Sequence, residues 1–142
     1  MTKRGIVFHH LPILSRKFNV HSITKNVPLL KAYAGMDSTI LDALNQLQID
    51  GLIIEALGQG NLPPKTLPGI QSLLDKNIPV VIVSRCFNGI TQDVYGYEGG
   101  GKHLKQLGVI FSNGLNGQKA RLKLLAILEE GNTQNIDKLF NS

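Results

Sequence analysis

Amide and hydroxyl side chains gather behind four apolar stretches of this sequence. They fall at Gly35-Met36-Asp37 and at Gly58-Gln59-Gly60-Asn61. A third group is Ser84-Arg85-Cys86 followed by Thr91-Gln92-Asp93 and Tyr95, and a fourth is Ser112-Asn113 followed by Asn116. Such groups orient a small polar ligand by hydrogen bonding, and they make poor proton shuttles. The sharpest of the four is Gly58–Asn61. Two glycines let the backbone approach a ligand closely, and a helix starting just after them favours an anionic group such as a carboxylate. The third glycine of a dinucleotide loop and the lysine of a phosphate loop are missing. A plain tight turn between strand and helix would use the same residues.

Other residues carry less. Cys86 has no histidine nearby in sequence and reads as a packed thiol rather than a nucleophile. His9, His10 and His21 with Cys86 lack the spacing of a zinc site. Ser84 is outside any Gly-x-Ser-x-Gly elbow and reads as a turn residue. Asp93 has no carboxylate partner for two-carboxylate hydrolysis. Gly99-Gly100-Gly101 either hinges a lid or allows close packing where a helix begins.

The chain that must position these groups has 142 residues and a mass of 15.5 kDa. That length implies one domain, burying about two-thirds of its unfolded surface without metal or disulfide support. Hydrophobic residues make up 42% and charged residues 18%, which excludes a disordered chain. No apolar run reaches the roughly 18 residues that span a membrane, and no signal peptide is visible. A single cysteine excludes an internal disulfide and points to a reducing compartment, and the missing signal peptide makes the cytoplasm the expected location. The net charge of +5 is uneven. Six bases (Lys3, Arg4, Arg16, Lys17, Lys25, Lys31) and no acid occupy residues 1–36; nine bases and ten acids occupy the rest. The basic part has few aromatics and no reader motif, so it reads as a solvated connecting segment, and nucleic acid is not an expected partner.

Residues 1–26 show no period, although Gly5–Phe8 and Leu11–Leu14 have the composition of short strands. From there strand and helix alternate four times. Strands are expected at Pro28–Ala34, Gly51–Ala56, Pro79–Val83 and Val109–Phe111. Asp37 or Ser38 caps a helix carrying Ile40, Leu41, Leu44 and Leu47. Pro63-Pro64 suits a first helical turn, and Pro68 restarts a helix with Leu67, Ile70, Leu73 and Leu74 running to Lys76. Residues 84–97 form a polar loop, and Gly99–Leu107 a short helix. Asn116 or a residue near it caps a helix to about Glu130 with Leu122, Leu125, Ala126 and Leu128 inside; Gly131 ends it, and Thr133–Phe140 is a last helix. The fold class is therefore α/β: a three-layer α/β/α domain, flavodoxin- or Rossmann-like. Its sheet has about four parallel strands joined by right-handed crossovers. In such sheets ligands bind beyond the carboxyl ends of the strands, where the polar groups gather.

Four stretches go further than pattern. Asp50–Pro64 (DGLIIEALGQGNLPP), Pro79–Gly101 (PVVIVSRCFNGITQDVYGYEGGG) and Gly108–Ala120 (GVIFSNGLNGQKA) resemble the C-terminal domain of bacterial L-asparaginases. Val27–Asp37 (VPLLKAYAGMD) resembles the segment leading into that domain. The resemblance covers residues 27–142 as the C-terminal α/β domain, with residues 1–26 as the end of an N-terminal domain and the interdomain linker. It implies hydrolysis of L-asparagine, with L-glutamine as a further substrate, to the amino acid and ammonia, without metal or cofactor.

In that family the threonine nucleophile lies in the N-terminal domain. Neither Thr-Gly-Gly-Thr-Ile nor Gly-Thr-Asp-Thr occurs here. The expectation is a piece or truncated form of a longer enzyme, inactive alone, with no catalytic residue of its own. The resemblance implies that such a domain completes the site of a neighbouring subunit through the residue matching Asn61, whose amide helps hold the substrate's amino and carboxylate end. Gln59 lies beside it, and Tyr95 stands where many secreted members carry a glutamate. The implied partners are the missing N-terminal domain and copies of the chain in a homodimer or homotetramer. Two other readings are the amidase part of a tRNA-dependent amidotransferase and a non-enzymatic amino-acid-binding or assembly domain.

Overall fold

Continuous apolar strands have no polar side to offer water, so they settle inside a sheet covered on both faces. Among the described residues four strands do so: β1 (Leu29–Lys31), β2 (Leu52–Ala56), β3 (Val80–Ser84) and β4 (Ile110–Phe111). A computed structural model describes residues 17–112 and 114–141. The short strands expected at Gly5–Phe8 and Leu11–Leu14, together with Lys3, Arg4, His9, His10, Arg16 and Asn113, lie outside the described residues. All pairings are parallel, and the strands stand in the sheet in chain order, β1-β2-β3-β4. Ile53 pairs with Leu29 on one side and Val81 on the other; Ile82 pairs with Phe111.

That order decides where the helices go. When each strand adds beside the last, right-handed crossovers all return over the same face. Helices α1 (Thr39–Gln46), α2 (Leu67–Asp75) and α3 (Gly101–Gln106) accordingly share one layer. Leu41, Ile70, Leu73 and Leu104 from these helices meet Leu52, Ile54, Val80 and Ile82 from the sheet. The alternate strand residues Ile53, Val81 and Val83 face the other way. They meet α4 (Gly117–Glu129) and α5 (Ile136–Asn141) through Ala120, Leu124, Ile127 and Phe140. The domain is a three-layer α/β/α fold.

Local chemistry sets the element ends. The Asn116 side chain accepts from the Lys119 amide at 2.9 Å and caps α4, and Gly131 follows that helix at φ 74°. Asp37 accepts from the Thr39 amide at 3.0 Å before α1, which holds its carboxyl below the usual range. Pro64–Thr66 forms a 3₁₀ turn that leads into α2. Several expectations need correction: Leu47 lies past the end of α1 and is exposed, and the last helix begins at Ile136 rather than Thr133. The first strand stops at Lys31, because Ala34-Gly35 already turns. Leu122 is 60% exposed rather than inside: it sits two residues, about 200°, from Leu124, which fixes the buried face of α4.

Residues 17–28 form no regular element, yet they are fastened along α4. Glu130 accepts from the Asn19 amide at 2.7 Å, and Glu129 accepts from the amides of Thr24 and Lys25. Asp50 accepts from the Asn26 amide at 2.8 Å and from Lys25 Nζ at 3.2 Å, and Arg121 Nε donates to the Val27 carbonyl at 2.6 Å. The backbone donors hold the Asp50 and Glu129 carboxyls below the usual carboxylate range. Among the described residues no helix is long and apolar enough to cross a membrane.

Candidate functional site

The turn after β2 closes on itself. The Leu57 amide donates to the Asn61 carbonyl at 2.9 Å, and the amides of Gly60 and Asn61 donate to the Leu57 carbonyl at 3.0 and 2.9 Å. This loop needs the left-handed backbone at Gly58 (φ 51°) and Gly60 (φ 103°), which glycine adopts without steric cost. Gly60 also lies against Thr91 and Phe111, either of which would stand 3.4 Å from a Cβ placed there. Ser84 Oγ donates to the Gly58 carbonyl and accepts from the Cys86 amide at 3.1 Å. Its hydroxyl is thus a turn brace, as its sequence setting suggests.

Asn61 is half-buried, and its Oδ1 accepts from the Gly101 amide at 3.3 Å, at the first residue of α3. The oxygen is therefore committed to the fold, and the Nδ2 hydrogens are left to donate elsewhere. Tyr95 joins the same helix start: its carbonyl accepts from the Lys102 amide at 3.1 Å, and its ring lies 5.6 Å from that of Tyr97. Gln59 is exposed at the tip of the turn, and its carbonyl accepts from the Gln92 amide at 2.9 Å. The carboxyl edge of the sheet thus holds all three candidates: Gln59 is tied through its carbonyl and Asn61 through its side chain to the segment from Gln92 to Lys102, of which Tyr95 is part.

The glycines of that segment serve close packing. A Cβ at Gly99 would lie 2.2 Å from the Leu62 carbonyl oxygen, at Gly100 2.4 Å from that of Tyr95, and at Gly101 2.3 Å from that of Gln92. Three backbone oxygens occupy the space a side chain would need, so this is a compressed junction rather than a loose hinge. Thr91 Oγ1 donates to the Ser112 carbonyl at 3.2 Å and joins the loop to the end of β4. Ser112 itself is buried, and its Oγ has no hydrogen-bond partner among the described residues.

Other sequence candidates take structural parts. Asp93 pairs with Lys105 at 3.2 Å, which holds its carboxyl below the usual range. Cys86 is exposed, not packed, because the chain turns outward after β3 and the Gly89 amide closes back on the Cys86 carbonyl. Arg85 reaches the Ala32 carbonyl at 3.0 Å and ties the loop after β3 to the loop after β1. Among the described residues no three His, Cys, Asp or Glu side chains gather as a metal ion requires.

Two residues escaped sequence reasoning. Glu55 is 8% exposed within β2, pairs with Lys31 at 3.2 Å and crowds Gly117 at the start of α4. Its signal was an acid interrupting an apolar run. His103 accepts from the Gly99 amide through Nδ1 at 3.3 Å, and nothing in the spacing announced that. A groove of about 800 Å³ lies at the opposite, amino edge, between Asp50, Pro79, Gly108, Glu129 and Asn135. None of the polar groups of the carboxyl edge lines it.

The carboxyl edge therefore offers amide donors, an exposed phenol and rigid backbone. Its hydroxyls at Ser84 and Thr91 are spent on backbone carbonyls. Such an arrangement orients a polar ligand by hydrogen bonding.

Residues 26–140 match the glutaminase/asparaginase C-terminal domain family. The chain is 44% identical over 115 residues to a probable L-asparaginase of Deinococcus radiodurans, covering 80% of this chain and 34% of that protein. It is 28% identical to an L-asparaginase of Bacillus licheniformis, over 79% of this chain and 36% of that one. A glutamyl-tRNA(Gln) amidotransferase component of Pyrococcus abyssi is 31% identical, over 82% and 26% respectively. The chain thus spans roughly a third or less of the curated relatives it matches.

Proposed function

The chain belongs to the glutaminase/asparaginase C-terminal domain family, and we propose that it is the substrate-completing domain of a cytoplasmic L-asparaginase. In this reading residues 1–26 end an N-terminal domain and form the linker, and residues 27–142 are the C-terminal domain. The nucleophile comes from the N-terminal domain, so the 142 residues alone do not hydrolyse asparagine. Asn61 reaches the site of a neighbouring subunit and donates through Nδ2 to the substrate's carboxylate end. Gln59 and Tyr95 flank it, and the Tyr95 phenol stands at the substrate amine. The observation that supports this reading is the hydrogen bond from the Gly101 amide to Asn61 Oδ1, which occupies the oxygen and leaves Nδ2 to donate.

The test is Asn61→Ala in the intact two-domain enzyme. A lost charge-assisted hydrogen bond of roughly 1.5–3 kcal/mol lowers kcat/KM about ten- to a hundredfold. An unchanged kcat/KM removes Asn61 from the site.

The similarity to a glutamyl-tRNA(Gln) amidotransferase supports a second reading, in which the intact protein acts on a tRNA-linked substrate. Tight tRNA binding that weakens steeply with salt would favour it, and absence of binding at low salt would dismiss it.

A further inference from the structure

The glycine junction that holds Asn61 is itself held by a titratable group. His103, the third residue of α3, turns back and accepts from the Gly99 amide through Nδ1 at 3.3 Å. Gly99 sits at φ 83°, and its carbonyl accepts from the Leu62 amide at 2.9 Å, next to Asn61 in sequence. Two residues on, the Gly101 amide donates to Asn61 Oδ1 at 3.3 Å. His103, Gly99, Gly101 and Asn61 are therefore joined by three hydrogen bonds and the short backbone stretches between them.

An imidazole accepts only through a bare nitrogen, so the bond from Gly99 requires neutral His103 with its proton on Nε2. Protonation turns Nδ1 into a donor facing another donor, and the link is lost. We propose that His103 is the positioning residue of the candidate substrate subsite. Its neutral ring fixes the Gly99–Gly101 junction that aims the Asn61 amide, and its protonation releases that junction. The proposal rests on the reading of Asn61 as a substrate contact. The charged groups around the ring are Glu98 and Lys65, which share its surface depression between α2 and α3, and Lys102 and Lys105 on α3 itself. Asp93 is occupied by Lys105.

Amide hydrogen exchange on the 142-residue chain, followed by NMR across the imidazole titration, tests this. The His103 ring proton reports its charge, and rates are corrected for intrinsic exchange. Protection of the Gly99 and Gly101 amides is expected to fall about tenfold as His103 becomes charged. His103→Asn, which places an oxygen near the Nδ1 position, keeps protection constant over the same pH range. His103→Ala holds protection at the low level of the charged state at every pH. Protection in the native chain that ignores the charge on His103, or a pH response that persists in His103→Asn, overturns the proposal even if His103→Ala does not fold. Failure of the substrate reading is separate: Asn61→Ala would then leave kcat/KM of the intact enzyme unchanged while the exchange response stands.

Discussion

Asn61 lends its side-chain oxygen to the amide of Gly101, forty residues further along the chain. One side chain thereby joins the turn after β2 to the start of α3, whose own N-cap, Gly100, has no side chain to offer. In the proposed reading structure and substrate binding draw on different atoms of the same amide, and substitutions separate them.

Asn61→Asp keeps an oxygen for Gly101 and deletes the donors. Thermal stability is expected to stay near that of the native chain, while kcat/KM of the intact enzyme falls at least as far as in Asn61→Ala, because a carboxylate repels the substrate carboxylate. A Tm curve beside a kinetic assay checks both halves. An Asp variant as active as the native enzyme would show that Nδ2 donates nothing to substrate.

The glycine junction makes a graded prediction. Gly99→Ala drives a methyl into the Leu62 carbonyl oxygen and demands a left-handed alanine, so a loss of about 2–4 kcal/mol is expected. Gly108→Ala shares the positive φ but meets nothing within 4 Å, and should cost about 1–2 kcal/mol. Urea titrations of the two variants give the difference; equal losses would mean that the junction yields easily.

Acid should loosen the segment before β1. Asp50 and Glu129 have folded-state carboxyls held low by backbone amides of Asn26, Lys25 and Thr24. A depressed folded value contributes stability above the unfolded value, and that contribution is lost as the pH falls through the folded one. Amides of Thr24, Lys25 and Asn26 should therefore lose exchange protection between about pH 5 and pH 2. Glu129→Gln should already show lower protection at Thr24 and Lys25 at neutral pH. Protection at these amides that survives to the acid limit would contradict the linkage.

The loop after β3 carries an apolar surface. Phe87 is fully exposed, and Ile90, Val94 and Tyr97 are each more than half exposed. Such a patch beside the candidate site drives association, so sedimentation should show a dimer or larger species, and Phe87→Ser should shift it toward monomer. A clean monomer of the native chain would leave the patch without a partner among its own copies.

The strands β2 and β3 were legible because Leu-Ile-Ile and Val-Val-Ile-Val admit no exposed face, and Asn116 announced its helix by its cap. The phase of α4 was not. Leucines at 122, 124, 125 and 128 fit more than one stripe, and only contact with Gly51 and Ile53 selects Leu124 over Leu122. At the site, the two-glycine turn was readable from spacing. Its partner was not, since the oxygens that compress Gly99 to Gly101 come from residues 62, 92 and 95. The choice between hinge and close packing is a tertiary fact. Cys86 shows the same limit from the other side: its residue type favours burial, and the outward loop overrules it.

The sheet grows in the order in which the ribosome delivers it. Each strand finds its neighbour already made, and no strand waits for a later one to fill a gap. The segment before β1 is the exception. Asn19, Thr24 and Lys25 bind carboxylates that lie 111, 105 and 104 residues later, on the final turn of α4 and just beyond it. During synthesis that joint is the last to set. The segment before β1 is held early at Lys25 and Asn26 by Asp50, and gains its α4 anchors only when nearly all the described residues have been made.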